Sequence, residues 1–163
     1  MWSHASQRAR AVYGSVLLLS LLWLGLIWAA PYSMATGRES ISIVLCQSFS
    51  AVCHRLPERS FHWMGFPLGV CARCTGIYVG VVVGLLLYPW LRRLENPQSP
   101  DRRWLIGAAI PMAIDFGGGL IGLFTNTSSS RAATGAMFGL AAAFYLIPGF
   151  VWICRSREVE SGD

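Results

Sequence analysis

The sequence predicts an all-α, polytopic membrane protein with four transmembrane helices and one short interfacial or re-entrant helix. Of its 163 residues, 54% are hydrophobic and only 13% are charged, and the mean hydropathy is +0.49. These values are too apolar for a soluble globular domain. The charged residues gather in short connectors between long apolar runs, the usual pattern of helical membrane proteins. Residues 1–163 are therefore predicted to form a single integral membrane domain.

The four predicted spans cover about residues 11–30, 75–90, 104–124 and 131–154. The first is free of charge over its full length, which is enough to cross a hydrocarbon core of about 30 Å. Basic residues before it also fit a cleaved signal peptide, but so long an apolar run favours a retained helix. In the second and fourth spans, small residues repeat every four positions, which lets membrane helices approach closely. These glycine faces could also support a homo-oligomer.

A shorter apolar stretch, at about residues 41–53, is predicted to form a half-buried helix. As a helix it measures about 20 Å, which is too short to span a membrane comfortably. It would deliver Cys53 and His54 to its C-terminal end. The loop that follows mixes aromatic residues with proline and glycine, which suits the headgroup level of a bilayer. We expect this loop to close over the cysteines.

The arginines near the span ends predict the orientation. With four spans, eight of them fall on one side: Arg8, Arg10, Arg92, Arg93, Arg102, Arg103, Arg155 and Arg157. The positive-inside rule makes that side cytoplasmic, with both termini, in a multi-pass protein of the cell (inner or plasma) membrane. Five arginines on the outer side run against the rule, so either the topology is inverted or those arginines belong to a site. The basic residues form no clustered face, so nucleic-acid binding is not expected.

The segment from residue 46 to residue 76 carries the candidate metal ligands Cys53, His54, Cys71 and Cys74. Three cysteines and one histidine suit zinc, and Cys-x-x-Cys spacing lets two thiolates reach one ion. Adjacent residues on a helix point about 100° apart, so His62 competes with His54 for the fourth position. The same thiols could instead form a redox-active disulfide relay in which Cys46 takes part, or simply a structural disulfide or packed thiols.

Four arginines beside these ligands are candidates for substrate binding: Arg55, Arg59, Arg73 and Arg131. Guanidinium groups bind phosphate, carboxylate or lipid headgroups through paired hydrogen bonds. Snorkelling of the same side chains toward the headgroups is the alternative. The expected partners are thus the lipid bilayer and an anionic small molecule or lipid.

Two acidic residues are candidates for the catalytic role of proton acceptor. Asp115 lies inside the third predicted span, where an acid costs at least about 2.5 kcal/mol and is by default functional or paired. Arg131 and the outer-loop arginines are its candidate partners. Glu58 could act as a base beside a metal-bound water, or pair with Arg55 or Arg59.

Several segments together resemble a known family. They are CHRLPERSF, then CARCTGIYVG, then the membrane aspartate, then NTSSSRAATGAMFG. The chain resembles an uncharacterised family of small bacterial and archaeal integral membrane proteins, a domain of unknown function with Cys-His-Arg and Cys-x-Arg-Cys-x-Gly motifs. The resemblance implies that one set of residues acts together: Cys53, His54, Arg55, Arg59, Cys71, Arg73, Cys74, Asp115 and Arg131. A looser similarity, in span count and outward cysteine pairs, links the chain to four-span disulfide oxidoreductases.

Three functions are consistent with this pattern. The first is a membrane protein with a Cys/His zinc site and an arginine-lined pocket at the outer interface, which binds an anionic or lipid-like substrate and could be a metal-dependent enzyme. The second is a thiol-disulfide or quinone-coupled oxidoreductase. The third is a carrier for a soft metal ion or an anion, in which Asp115 and the cysteines are transport ligands.

Overall fold

The fold is built almost entirely from helices. A computed structural model describes residues 2–54, 56–94, 96 and 98–160, with side chains from residue 7 to residue 153 in those ranges. A short 3-10 turn covers Pro57–Arg59. The regular elements are, in chain order, α1 (Trp2–Ala35), α2 (Glu39–Ser50), β1 (His62–Trp63), β2 (Phe66–Pro67), α3 (Ala72–Leu91), α4 (Arg102–Leu120) and α5 (Ser128–Glu160).

Among the described residues, three helices are long and apolar enough to cross a membrane, over Gln7–Ala35, Ala72–Leu91 and Ser128–Ile153. They correspond to the first, second and fourth predicted spans, with the ends displaced by a few residues. The helix α2 is the predicted short helix, and it is too short to be a fifth span. The prediction of an all-α membrane protein is confirmed.

The remaining predicted span corresponds to α4, which has 19 residues and runs beside α5. Near one end of α4, the Ser130 hydroxyl contacts the Asp115 carboxylate at 2.9 Å. At its other end, the Tyr145 hydroxyl donates to the Asp101 carbonyl at 2.7 Å. Ser130 and Tyr145 are separated along α5 by a rise of about 22 Å. The helix α4 therefore extends through most of the thickness that α5 crosses.

The end of α4 comes four residues before the predicted end at residue 124. Gly122 has a φ of 74°, and the N–H of Leu123 donates to the Gly118 carbonyl at 2.9 Å. This is a Schellman ending, in which a glycine in the left-handed conformation terminates the helix. Apolar residues after Gly122 look like a continued span in the sequence, but the backbone cannot continue as a helix through that conformation.

The glycine repeats of α3 and α5 pack against each other. A Cβ added at Gly76 would overlap the backbone of Ala132, and one added at Gly80 would overlap that of Ala136. In the opposite direction, a Cβ at Gly139 would overlap the backbone of Ile77. The absence of side chains lets the two helices come into backbone contact, as small residues do in membrane bundles. The faces considered for a homo-oligomer are thus covered within one chain.

Enlarging Gly80 is expected to separate these two helices. The substitution Gly80→Val places methyl groups where Ala136 backbone atoms lie, and overpacking destabilises by about 1 to 3 kcal/mol. Thermal unfolding of the purified protein in detergent measures the loss. The matched control is Gly25→Val in α1, because a Cβ there meets nothing within 4 Å. Equal melting temperatures for the two variants would contradict the packing described.

The helices place Cys53 and most of the basic connectors at opposite ends of the bundle. At one end, Ala9 of α1 packs in a buried cluster with Tyr88 of α3 and Val151 of α5. At the other end, Ile27 of α1 and Cys53 belong to a second buried cluster. The arginines near the start of α1, and those from the end of α3 to the start of α4, therefore share the end away from Cys53, as the four-span topology requires.

The predicted aromatic loop contains a small hairpin of β1 and β2. Its turn has positive φ at both central residues, Met64 at 53° and Gly65 at 84°, as tight hairpins require. Trp63 packs on α1, with ring centroids 5.5 Å from Trp28 and 6.2 Å from Tyr32. The hairpin is thus anchored on α1, and other parts of the loop face the cysteines.

Candidate metal centre

Three cysteine side chains meet where α2 ends and α3 begins. Cys53 follows the end of α2, Cys71 immediately precedes α3, and Cys74 lies in its first turn. Their sulfur atoms all lie within 4.8 Å of one another. The backbone N–H of Cys71 also donates to the Cys53 sulfur, at 3.3 Å. A helix start favours thiolates, because its N–H groups and its dipole carry partial positive charge.

The segment between β2 and α3 fixes the position of Cys71. Leu68 and Val70 are buried, and the N–H of Gly69 donates to the Ile27 carbonyl at 3.3 Å. A Cβ on Gly69 would lie 2.8 Å from the Phe49 ring, so only glycine lets this segment pass so close to α2. Packing against α1 and α2 therefore holds the second cysteine beside the first.

Three thiolates at this separation suit one soft metal ion. Zinc–sulfur bonds are about 2.3 Å long, so sulfurs sharing a tetrahedral zinc are about 3.8 Å apart. Among the residues that the structure describes, no histidine or carboxylate joins the three cysteines. His54 and His62 are both exposed, although His54 lines the cavity beside the thiols. Of the predicted four-ligand set, the structure thus brings three thiols together, and two of them line that cavity.

The cavity beside the thiols has a volume of about 300 Å³. Cys53 and Cys71 form part of its wall. Arginines reach it from three separate elements: Arg59 from the 3-10 turn, Arg73 from α3 and Arg131 from α5. The remaining lining residues are His54, Leu56, Phe116, Gly119, Leu120 and Asn126. Thiols and guanidinium groups therefore face one space.

The charge around this cavity is positive. Of the four arginines predicted to bind substrate, three line it, and Arg55 lies outside the described residues. Within the described part of the chain, no carboxylate forms an ion pair with Arg59 or Arg131, and no acidic side chain lines the cavity. A cavity of this composition favours an anionic ligand.

A network centred on Asp115 joins the ends of three helices. Arg73 of α3 forms an ion pair with this carboxylate, with Nη2 and Oδ2 separated by 2.6 Å. Ser130 of α5 donates to the other carboxylate oxygen at 2.9 Å, and the Asn126 amide donates to the Asp115 backbone carbonyl. The Arg73 guanidinium also lies 5.2 Å from the centroid of the Phe116 ring. These contacts hold the guanidinium at the cavity wall.

The two acids considered as catalysts have different positions. Asp115 is 7% exposed, both its oxygens accept hydrogen bonds, and it lies behind Arg73 rather than on the cavity wall. Of its candidate partners, the structure pairs it with Arg73 and not with Arg131. Glu58 is exposed on the 3-10 turn and does not line the cavity. The geometry therefore favours a positioning role for Asp115.

A second cavity, of about 580 Å³, lies against α2. It shares Cys53 and His54 with the first cavity and is also lined by Cys46. The Cys46 sulfur lies 3.9 Å from the Ser42 hydroxyl and is not part of the three-thiol group. Cys46, which takes part in the disulfide relay considered from the sequence, is thus a neighbour of the cluster rather than a member.

Two polar residues of the network were not predicted from the sequence. Asn126 lies in the connection between α4 and α5, and Ser130 lies in the first turn of α5; both belong to the NTSSS segment. A Cβ added at Gly119 would overlap the Asn126 side chain, so this glycine makes room for the amide. A run of polar residues next to a span that contains an acid is the signal that could have identified them.

Comparison with known proteins places this site in a family. The family model described as predicted membrane protein (DUF2085) matches residues 53–145, from the first cluster cysteine to the middle of α5. An uncharacterized protein of Methanocaldococcus jannaschii is 41% identical over 143 residues, which cover 85% of this chain and 92% of that protein. An uncharacterized protein of Methanothermobacter thermautotrophicus is 34% identical over 100 residues, covering 61% of this chain and 88% of that protein.

No solved structure matches this chain. The family match covers more than half of the chain, and the first relative is similar along almost its whole length. The resemblance that the cysteine motifs indicated is therefore confirmed, and the chain belongs to the DUF2085 family of predicted membrane proteins.

Proposed function

We propose that this membrane protein holds a soft metal ion, with zinc as first choice, on Cys53, Cys71 and Cys74, and binds an anionic group beside it. The observation that carries the proposal is that two of the three converging thiols line the same cavity as three arginines. Thiolate ligands select zinc and other soft ions over magnesium or calcium.

The number of converging thiol ligands favours a catalytic metal site over a purely structural one. Structural zinc sites are closed by four protein ligands, whereas catalytic sites have three and leave one position for water or substrate. Here three thiols converge in the described part of the chain and two of them line the arginine cavity, so a fourth position on a bound ion would be accessible from that cavity. A metal ion bound there would supply Lewis-acid chemistry or activate a water molecule. Arg59, Arg73 and Arg131 would bind the anion and hold one of its oxygens beside the metal.

A thiol-disulfide function is the second candidate, because Cys71 and Cys74 form a Cys-x-x-Cys pair at a helix start, a setting that activates thiols. Forming a disulfide there would release two electrons and two protons, so this function needs an electron acceptor such as a quinone. The arginine cavity has no role in that chemistry. We therefore rank it below metal binding.

Elemental analysis combined with thiol counting distinguishes the two functions. The wild-type protein, purified in detergent under reducing conditions from zinc-supplemented cells, is expected to carry one zinc per chain. Three of its thiols, those of the cluster, should react with a thiol reagent only after a chelator is added. Protein that carries no metal under these conditions, and in which Cys71 and Cys74 form a disulfide once the reductant is removed, would refute the metal centre and support the redox function.

A further inference from the structure

The donors around the cavity favour a tetrahedral oxyanion over a planar one. Arg59, Arg73 and Arg131 approach from a turn and from two different helices, and Asn126 adds an amide from the α4–α5 connection. One guanidinium can satisfy both oxygens of a carboxylate in a single plane. Donors that converge from several directions match an anion whose oxygens also point in several directions, as those of a phosphate do.

One of these donors lacks a partner in the described part of the chain. The Nε atom of Arg73 is buried and makes no hydrogen bond there, although Nη2 of the same group is held by Asp115. Buried polar atoms without a partner are rare, because leaving one unsatisfied costs free energy. The side chain lines the cavity, so an anion bound there would supply the missing acceptor.

The rim of the cavity is apolar and faces outward from the bundle. Phe116 and Leu120 are one turn apart on α4, line the cavity, and are 53% and 75% exposed. Leu56 adds a third apolar group to the lining. On a helix that runs through the thickness of the membrane, exposed apolar side chains contact lipid. The polar floor of the cavity is therefore continuous with a hydrocarbon-facing surface.

We infer that the ligand of this cavity is a phosphate group carried on a hydrocarbon chain, a phospholipid-like amphiphile that reaches the site from the bilayer. The phosphate would lie among Arg59, Arg73 and Arg131, and its chain along Phe116 and Leu120. This inference rests on the anion pocket of the proposed function and names its ligand class. Free phosphate offers the same oxygens but makes no use of the apolar rim, so the two sources can be separated by experiment.

The test compares three probes on the purified protein in a neutral maltoside detergent: dodecyl phosphate, inorganic phosphate and dodecanol. Binding is followed by native mass spectrometry. We expect dodecyl phosphate to bind at least about tenfold more tightly than inorganic phosphate, because two or more methylene groups moving from water to the rim already give about that factor. Dodecanol is expected to show no specific binding. Equal binding of dodecyl phosphate and inorganic phosphate would overturn the inference in favour of free phosphate.

Two variants test where the phosphate group and the hydrocarbon chain of the ligand bind. Arg131→Gln should weaken binding of both phosphates by about tenfold, the usual effect of losing one charged hydrogen bond. Leu120→Ser should weaken dodecyl phosphate alone. Leu123→Ser is the matched control. Leu123 is as exposed as Leu120 and lies three residues further along the chain, but it does not line the cavity. Unchanged dodecyl phosphate binding in Arg131→Gln would overturn the assignment to this cavity.

Zinc content is measured on the same samples, because it separates this inference from the proposed metal centre. Wild-type protein that contains zinc but does not bind dodecyl phosphate would refute the inference and leave the metal centre standing. Protein that binds dodecyl phosphate through Arg131 without any zinc would refute the metal centre and support the lipid phosphate site. The Arg131→Gln variant should retain its zinc, because Arg131 is not a ligand.

Discussion

Replacing Cys74 by serine is expected to weaken zinc binding by more than about 100-fold. Substitutions of residues that only orient metal ligands already cost about 10- to 100-fold in affinity, and Cys74 is one of the three thiols that converge in the described part of the chain. A serine hydroxyl keeps nearly the same volume but does not provide a thiolate. Competition with a chromogenic chelator, at neutral pH and under reducing conditions, measures the affinity of the wild type and the variant.

Cys46→Ser is the control for this experiment, since it is the same substitution at a nearby cysteine outside the three-thiol group. Its zinc affinity should equal that of the wild type. Zinc binding by the wild type should also weaken as the pH falls, because protons compete with the metal for the thiolates. Equal affinities of Cys74→Ser and Cys46→Ser would show that the metal does not bind where the thiols converge.

Helix-level features of the fold were predictable because they depend on local sequence. Long uncharged runs predicted the spans, and the four-residue glycine repeat predicted which faces would pack closely. The repeat alone does not identify the partner of each face, because Gly80 could meet another copy of the chain as easily as α5. The end of α4 was missed because Gly122 stops the helix through its backbone conformation, whereas the residues around it stay apolar.

The candidate site was predictable only where residue type alone indicates chemistry. Cysteine spacing predicted the thiol cluster, and an acid within a span marked Asp115 as paired or functional. Its partner Arg73 is 42 residues away in sequence, and no local pattern relates them. The pair forms because α3 and α4 both pack on α5, and that information resides in the packing of whole helices. Ser130 was not predicted as a partner of Asp115 for the same reason, because their contact also depends on how α4 packs on α5.

Replacing Asp115 by asparagine is expected to destabilise the protein by about 3 kcal/mol, the usual cost of removing one partner from a buried ion pair. The Arg73 side chain is only 20% exposed, so its charge would be left without compensation in a mostly apolar bundle. Asparagine is nearly isosteric with aspartate and can still accept from Ser130, so the loss reports the charge rather than the shape. Unfolding in mixed micelles with increasing denaturing detergent measures the difference.

Asp101→Asn provides a matched control at the opposite end of the same helix. Asp101 caps α4 and lies 3.8 Å from Arg103, but the two side chains are 61% and 90% exposed. Exposed pairs contribute little and asparagine is an equally good cap, so the change should stay within about 0.5 kcal/mol. The double variant Arg73→Gln/Asp115→Asn completes the cycle, and it should be more stable than the sum of the two single losses predicts. Strict additivity would mean that the two residues do not stabilise one another, and the role of Asp115 in positioning Arg73 at the cavity would have to be abandoned.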